Sequence, residues 1–267
     1  TINERIGWLE KELKKAYHVA RAGKTSKPGV IEFDKIAKSE IATLAEEMYT
    51  RTYTPRPSTA FIVNQPVKRE IFAAQFRDRV VHHFLFNQVN KWWDTRFIED
   101  NYSCRVGKGT LYGIRRLDYH IRSVSRNYTK PAYILKLDLQ GYFMSLDRKK
   151  LYQRAIWGLD RQFPYKGYQY QLCKYLWKVI IFNDSLKDVT FNCPRSAWKG
   201  LPPSKSLFHQ KDGRGIAIGN LTSQLLSNMY LDQLDRFVTL ELGFKHYGRY
   251  VDDFYIISSS KDELVKT

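Results

Sequence analysis

Asp252 and Asp253 stand side by side inside an apolar, strand-forming run, with Tyr250 and Val251 before them and Phe254, Tyr255 and Ile256 after. Adjacent carboxylates repel each other, and burying them is costly unless a cation or a shared proton neutralises the pair. The run folds as strand, tight turn, strand over Tyr247–Ser258, with Val251-Asp252-Asp253 at the turn. Two readings stay open for the acids. They are a polar hairpin tip, since Asp is common in turns, or they hold a cation. Carboxylate oxygens with no neighbouring His or Cys suit Mg²⁺, with Mn²⁺ as an alternative.

A further acid, Asp138, closes the segment Tyr133-Ile134-Leu135-Lys136-Leu137-Asp138-Leu139, which reads as a buried strand. Elsewhere helical spacing dominates. Leu9, Leu13, Ala16 and Ala20 share one helical face, and Ile41, Leu44, Ala45 and Met48 another, with Asp34 as the expected N-cap. Ser58–Ala74 alternates and is expected to form a strand pair or flap. Helices follow on Val81, Phe84, Leu85, Val89 and Trp92, and on Ile114, Leu117, Ile121 and Val124 with Thr110 as cap. Asp147 is expected to cap a helix through Leu151 and Ala155, and another carries Tyr168, Leu172, Tyr175 and Val179. A Pro/Lys/Ser-rich loop over 192–215 is read as either a binding insertion or plain surface. A last helix begins after Gly219 and carries Leu226, Tyr230, Leu234 and Val238. Helices on small antiparallel sheets make an α+β protein.

The 267 residues carry 44 basic and 27 acidic side chains, a net charge of +17, which points to a polyanionic partner. The 18 Tyr and 6 Trp supply rings on which bases can stack, although most are expected in the core. Cys104, Cys173 and Cys193 form no CxxC pair, so neither a disulfide framework nor a zinc site is expected, and a reducing cytoplasm is. Apolar runs such as Val179–Phe182 are too short to span a bilayer, and no membrane partner is expected. His82 and His83 are read as structural.

Tyr250-Val251-Asp252-Asp253 resembles the YxDD box of reverse transcriptases. Asp138-Leu139-Gln140-Gly141-Tyr142-Phe143 resembles their first catalytic box, and Gly219-Asn220-Leu221-Thr222-Ser223-Gln224 the middle box. Lys68-Arg69-Glu70-Ile71 through Arg77-Asp78-Arg79-Val80-Val81 is similar to the fingers segment of group II intron and related bacterial enzymes. Cys104 to Thr110 resembles the segment that follows it there. In the middle box Ile218 stands where many relatives carry Gln, and Ile-Gly-x-x-x-Ser-Gln resembles the diversity-generating retroelement type.

The resemblance implies a right-hand polymerase, α+β, with residues 1–132 as fingers and N-terminal helices and 133–267 as palm, its small antiparallel sheet packed with helices. A thumb and further palm motifs would follow Ser260, so truncation before the thumb is expected. It implies an RNA-directed DNA polymerase in a prokaryotic cytoplasm, using two Mg²⁺ ions, dNTPs, a template RNA and a DNA primer, with a small basic accessory protein and errors at template adenines. Asp138, Asp252 and Asp253 would be catalytic, and with the Leu139 carbonyl would hold the metal. Lys68 and Arg69 would grip the triphosphate, and Phe143 would exclude a 2′-hydroxyl. Ile218, Gly219 and Gln224 would border the nascent pair, and Arg105, Lys108, Arg115 and Arg116 would touch nucleic acid. Two alternatives remain: a catalytically idle, maturase-like RNA-binding module, and a template-independent nucleotide polymerase of phage defence.

Overall fold

The computed structural model describes all of residues 1–267. In chain order the elements are α1 (Ile2–Arg21), α2 (Pro28–Thr50), β1 (Thr59–Val63), β2 (Arg69–Ala73), α3 (Phe76–Asp94), α4 (Thr110–Ser125) and β3 (Tyr133–Asp138). Then come α5 (Tyr142–Ser145), α6 (Arg148–Gln162), α7 (Tyr168–Phe182), β4 (Thr190–Phe191), α8 (Leu221–Arg236), β5 (Tyr247–Tyr250), β6 (Asp253–Ser258) and α9 (Lys261–Lys266). The chain is α+β, and no helix is long and apolar enough to cross a membrane.

Two compact units form, each from two stretches of chain. Unit 1 comprises Thr1–Trp92 and Phe143–Ser223, and unit 2 comprises Trp93–Tyr142 and Gln224–Thr267. The compact units therefore do not follow a single cut at 132/133.

Unit 1 contains a three-stranded sheet ordered β2-β1-β4. β1 runs antiparallel to β2 and parallel to β4. Leu9, Leu13, Ala16 and Ala20 bury one face of α1, as their spacing predicts. The second helix begins earlier than expected, because Pro28 supplies a ready-made first-turn φ. Asp34 is thus inside α2 and does not cap it; its carboxylate accepts from Tyr17 Oη at 2.6 Å and Arg21 Nε at 2.8 Å. Asp147 does cap α6, accepting from the amides of Lys149 and Lys150 at 2.9 and 3.0 Å.

The loop over 192–215 is built rather than loose. It holds 3₁₀ turns at Arg195–Trp198, Pro203–Lys205 and Leu207–His209. Its anchor is Glu70, fully buried on β2, which accepts from Trp198 Nε1 at 2.5 Å, Ser206 Oγ at 2.7 Å and the Leu207 amide at 2.7 Å. Burial holds His82 neutral, with its pKa pushed down to about 4, and its ring shares a 2.6 Å hydrogen bond with Thr222.

Unit 2 contains an antiparallel sheet ordered β3-β6-β5. Its core gathers Val238, Phe244, Tyr247, Phe254, Ile256 and Leu264. Several expectations fail here. β3 is an edge strand, and Tyr133, Ile134 and Leu137 are exposed rather than buried. On α4 the stripe led by Ile114 is not the core face; Gly113, His120 and Ser125 are buried instead. A Cβ on Gly113 would meet the Tyr102 ring at 2.8 Å, so the bare glycine permits that close approach. The cap of α4 is Gly109, and Thr110 is its first helical residue. On α3 it is Trp93, not Trp92, that is buried.

Candidate active site

The β5–β6 hairpin turns on Val251 and Asp252, with Tyr250 paired to Asp253. A two-residue turn of this kind requires positive φ, and Val251 adopts φ 58°. For a β-branched residue that conformation is disfavoured by about 1–2 kcal/mol, so the surroundings must hold it. On the other side of β6, β3 places Asp138 directly opposite Asp253. Residues so paired have Cβ atoms about 4.5–5.5 Å apart, and like charges there are destabilising without a counter-charge. The structure thus brings Asp138, Asp252 and Asp253 to one end of one sheet. All three reach solvent at least partly, and the Asp253 side chain is 52% exposed. Their side chains are not drawn into one cluster: no group of three His, Cys, Asp or Glu stands at ion-holding distance. The nearby cation is Lys136, whose Nζ lies 3.5 Å from Asp253 Oδ1. Leu139 packs beside the unit 2 core, and its carbonyl accepts from the Tyr142 amide at 3.2 Å.

Beneath the hairpin lies charge that sequence reasoning missed. Arg249 and Asp235 are both fully buried and pair through two hydrogen bonds, Nε to Oδ1 at 2.6 Å and Nη2 to Oδ2 at 2.7 Å. Tyr247 Oη donates to the same carboxylate at 2.6 Å. The only sequence signal was Arg249 itself, abutting the aspartate box, and an acid set among apolar positions of α8.

A second network surrounds Asp100. Burial opposes its ionisation, but hydrogen bonds from His120 and Arg116 hold its carboxyl well below the usual range. Arg116 donates to it at 2.6 and 2.9 Å, and Tyr102 Oη at 3.0 Å. Tyr102 also bonds Tyr255 Oη at 2.8 Å, and His120 reaches that oxygen at 3.1 Å. Burial pushes the Tyr255 phenol up to about 12, so it stays protonated. A side chain at Gly248 would collide with both tyrosines, coming within 2.6 Å of the Tyr255 ring.

The basic residues expected to touch nucleic acid divide sharply. Arg105 is a structural brace, only 7% exposed. It donates to Asp94 Oδ1 and the Ile98 carbonyl, both at 2.6 Å, and to the carbonyls of Asn101 and Asp94. Lys108 is likewise held by Glu99, and Arg116 by Asp100. Only Arg115 of the four is exposed with its charge unpaired. In this structure nearby acids and carbonyls engage Arg105, Lys108 and Arg116.

In unit 1, Arg69 opens β2, is exposed, and its guanidinium has no protein partner. Lys68 Nζ donates to the Lys199 carbonyl at 2.7 Å. Phe143 is half-buried, with its carbonyl accepting from the Ile216 amide at 3.0 Å. Ile218 packs against a core of Ala60, Phe72, Met144, Leu207 and Ala217, and its carbonyl accepts from the Phe72 amide. Gly219 has φ 118°, and a Cβ there would stand 2.9 Å from Ile71 Cγ2, so both backbone and space demand glycine. In unit 2, Gln224 is exposed on α8.

At the level of class, this is an α+β protein whose antiparallel sheet ends in three aspartates. No protein-family model matches the chain, and no curated protein does. Among solved structures it is similar to a chain of a partial Cas6-RT-Cas1–Cas2 complex, at 16% identity and TM-score 0.42, with 94% of this chain and 37% of that one covered. A chain of the Cas6-RT-Cas1–Cas2 complex gives the same identity and score, with 23% of its length covered. The chain thus spans well under half of either.

Proposed function

We propose that this protein is a reverse-transcriptase-type nucleotidyltransferase, an RNA-directed DNA polymerase of fingers-and-palm design. The observation that carries the reading is the register that sets Asp138 opposite Asp253, beside Asp252, at residues that also match the catalytic boxes in sequence. Carboxylates gathered at one sheet end suit hard divalent cations. Asp138 and Asp252 would hold Mg²⁺, with Asp253 and the Leu139 carbonyl assisting. When bound, such ions stabilise charge on the attacking and leaving oxygens of phosphoryl transfer. Lys136 supplies a movable counter-charge beside Asp253.

Arg69 is the candidate for the triphosphate, because its unpartnered fork can take phosphate oxygens bidentately, with Lys68 beside it. Phe143 is assigned the sugar, and Ile218, Gly219 and Gln224 the nascent base pair. The narrower reading is error-prone copying at template adenines, as in diversity-generating retroelements with a basic accessory protein. It rests on Ile218, which offers an apolar contact where Gln would offer polar groups. Ile218→Gln is then expected to lower adenine-specific error in sequenced cDNA.

Primer extension on an RNA template, with and without that template, tests the function. Expected is dNTP incorporation that needs both the RNA and Mg²⁺. Extension without template would favour the template-independent class. RNA binding with no incorporation would favour the idle, maturase-like one.

A further inference from the structure

Both peptide groups flanking the strained residue of the hairpin are gripped from inside unit 2. The Val251 amide donates to Ser103 Oγ at 3.2 Å, and the Val251 carbonyl accepts from Arg249 Nη1 at 2.8 Å. The two grips are joined. Asn228 Oδ1 accepts from Ser103 Oγ and from Arg249 Nη1, both at 3.3 Å, and Asn228 Nδ2 donates back to the Ser103 carbonyl at 2.9 Å. Asp235 fixes the guanidinium plane through its two-point contact. Ser103 and Asn228 are buried too.

A buried ion pair is weak evidence for stability, since apolar residues of similar volume often serve the core as well or better. This pair is used differently. With Nε and Nη2 committed to Asp235, Nη1 is left aimed at the turn, and a point-charge ammonium could not reach all three acceptors at once. We infer that Arg249, Asp235, Asn228 and Ser103 are positioning residues. They form a clamp that fixes the left-handed turn at Val251, and thereby the separation of Asp252 and Asp253 from Asp138. The inference rests on the proposed role of those carboxylates as cation ligands. None of the clamp residues touches the cation; each acts through the turn.

Ser103→Ala and Arg249→Lys test this in the full chain, with Ser103→Thr restoring a hydroxyl. Hydrogen exchange over residues 249–254 reports the turn, Mn²⁺ titration followed by electron paramagnetic resonance reports the ligand set, and thermal unfolding reports the fold. Expected for Ser103→Ala is a folded protein with faster exchange in that peptide and Mn²⁺ affinity weakened by about tenfold, the usual cost of losing an outer support. Ser103→Thr should recover most of it. Arg249→Lys should weaken Mn²⁺ binding further; should it fail to fold, Ser103→Ala alone decides. Unchanged exchange and unchanged Mn²⁺ affinity in folded Ser103→Ala would overturn the clamp. If the wild type itself bound no Mn²⁺, the reading of the carboxylates would fall instead, while slow exchange lost in Ser103→Ala would still support the turn clamp.

Discussion

Each of the two sheets hides one fully buried charge, and the two charges are handled in opposite ways. Glu70 on β2 has no cation beside it; three neutral donors satisfy it, and two turns of the 192–215 loop are tied to the strand as a result. Arg249 on β5 is met by a full counter-charge, Asp235, and ties a turn rather than a loop. In both strands the alternation of side chains then works the same way. The buried charge faces inward, and its sequence neighbour, Arg69 or Tyr250, faces out. The difference teaches that dipoles suffice to hold a broad loop, whereas the unfavourable backbone of one turn residue is held by an ion pair with a spare donor.

Removing the charges should expose that difference. Arg249→Ala leaves Asp235 buried and unpaired, and denaturant unfolding should show a loss of about 3–5 kcal/mol. Replacing Arg249 and Asp235 together by Met and Leu should recover most of this loss while leaving the turn without its grip. A double variant as unstable as the single one would contradict the distinction between holding the fold and holding the turn. Glu70→Ala strands neutral donors that water can reach once the loop loosens. A loss of about 2–3 kcal/mol is expected, with proteolytic cutting appearing within 192–215. Intact resistance to protease there would break the comparison from the other side.

Acid should strain unit 1 through His82. Its folded pKa, about 4, lies below the ordinary 6.5, so the neutral form is the one the fold stabilises. That stability is complete above pH 6.5 and is lost as pH falls toward 4. Unfolding experiments at pH 7 and pH 5 should differ on the order of 2 kcal/mol from this group, and His82→Gln should flatten the slope. In unit 2 the Asp100 carboxyl, held low by His120 and Arg116 despite burial, keeps its contribution throughout that window. The smallest effect is expected at Arg115, exposed and unpaired. Arg115→Ala should change stability by less than about 0.5 kcal/mol, yet reduce the salt slope of RNA binding by about one. An unchanged slope would take Arg115 out of contact with nucleic acid.

What the sequence disclosed follows from local physics. The hairpin could be read because two acids cannot continue a buried strand, and the cap at Asp147 because a cap acts on amides two and three residues away. The face of α1 could be read because Leu9 to Ala20 repeats at one spacing. What stayed hidden depends on distant partners. Arg105 and Arg249 look alike in sequence to any phosphate-binding arginine, and only the fold sets Asp94 and Asp235 against them. The apolar run of β3 suggested burial, but strand order made it an edge. The stripe on α4 misled because Gly113, invisible to a hydrophobicity pattern, is what lets the opposite face approach Tyr102.

The central claim is that Asp138, Asp252 and Asp253 act together as cation ligands for nucleotide transfer. Single-nucleotide incorporation on an RNA template, measured alongside RNA binding for Asp252→Asn, addresses it most directly. The amide keeps the shape of the carboxylate and removes the charge that holds Mg²⁺. Incorporation should fall to about one per cent of wild type or less, with RNA affinity and thermal stability unchanged; a variant that still extends the primer near the wild-type rate would contradict the account.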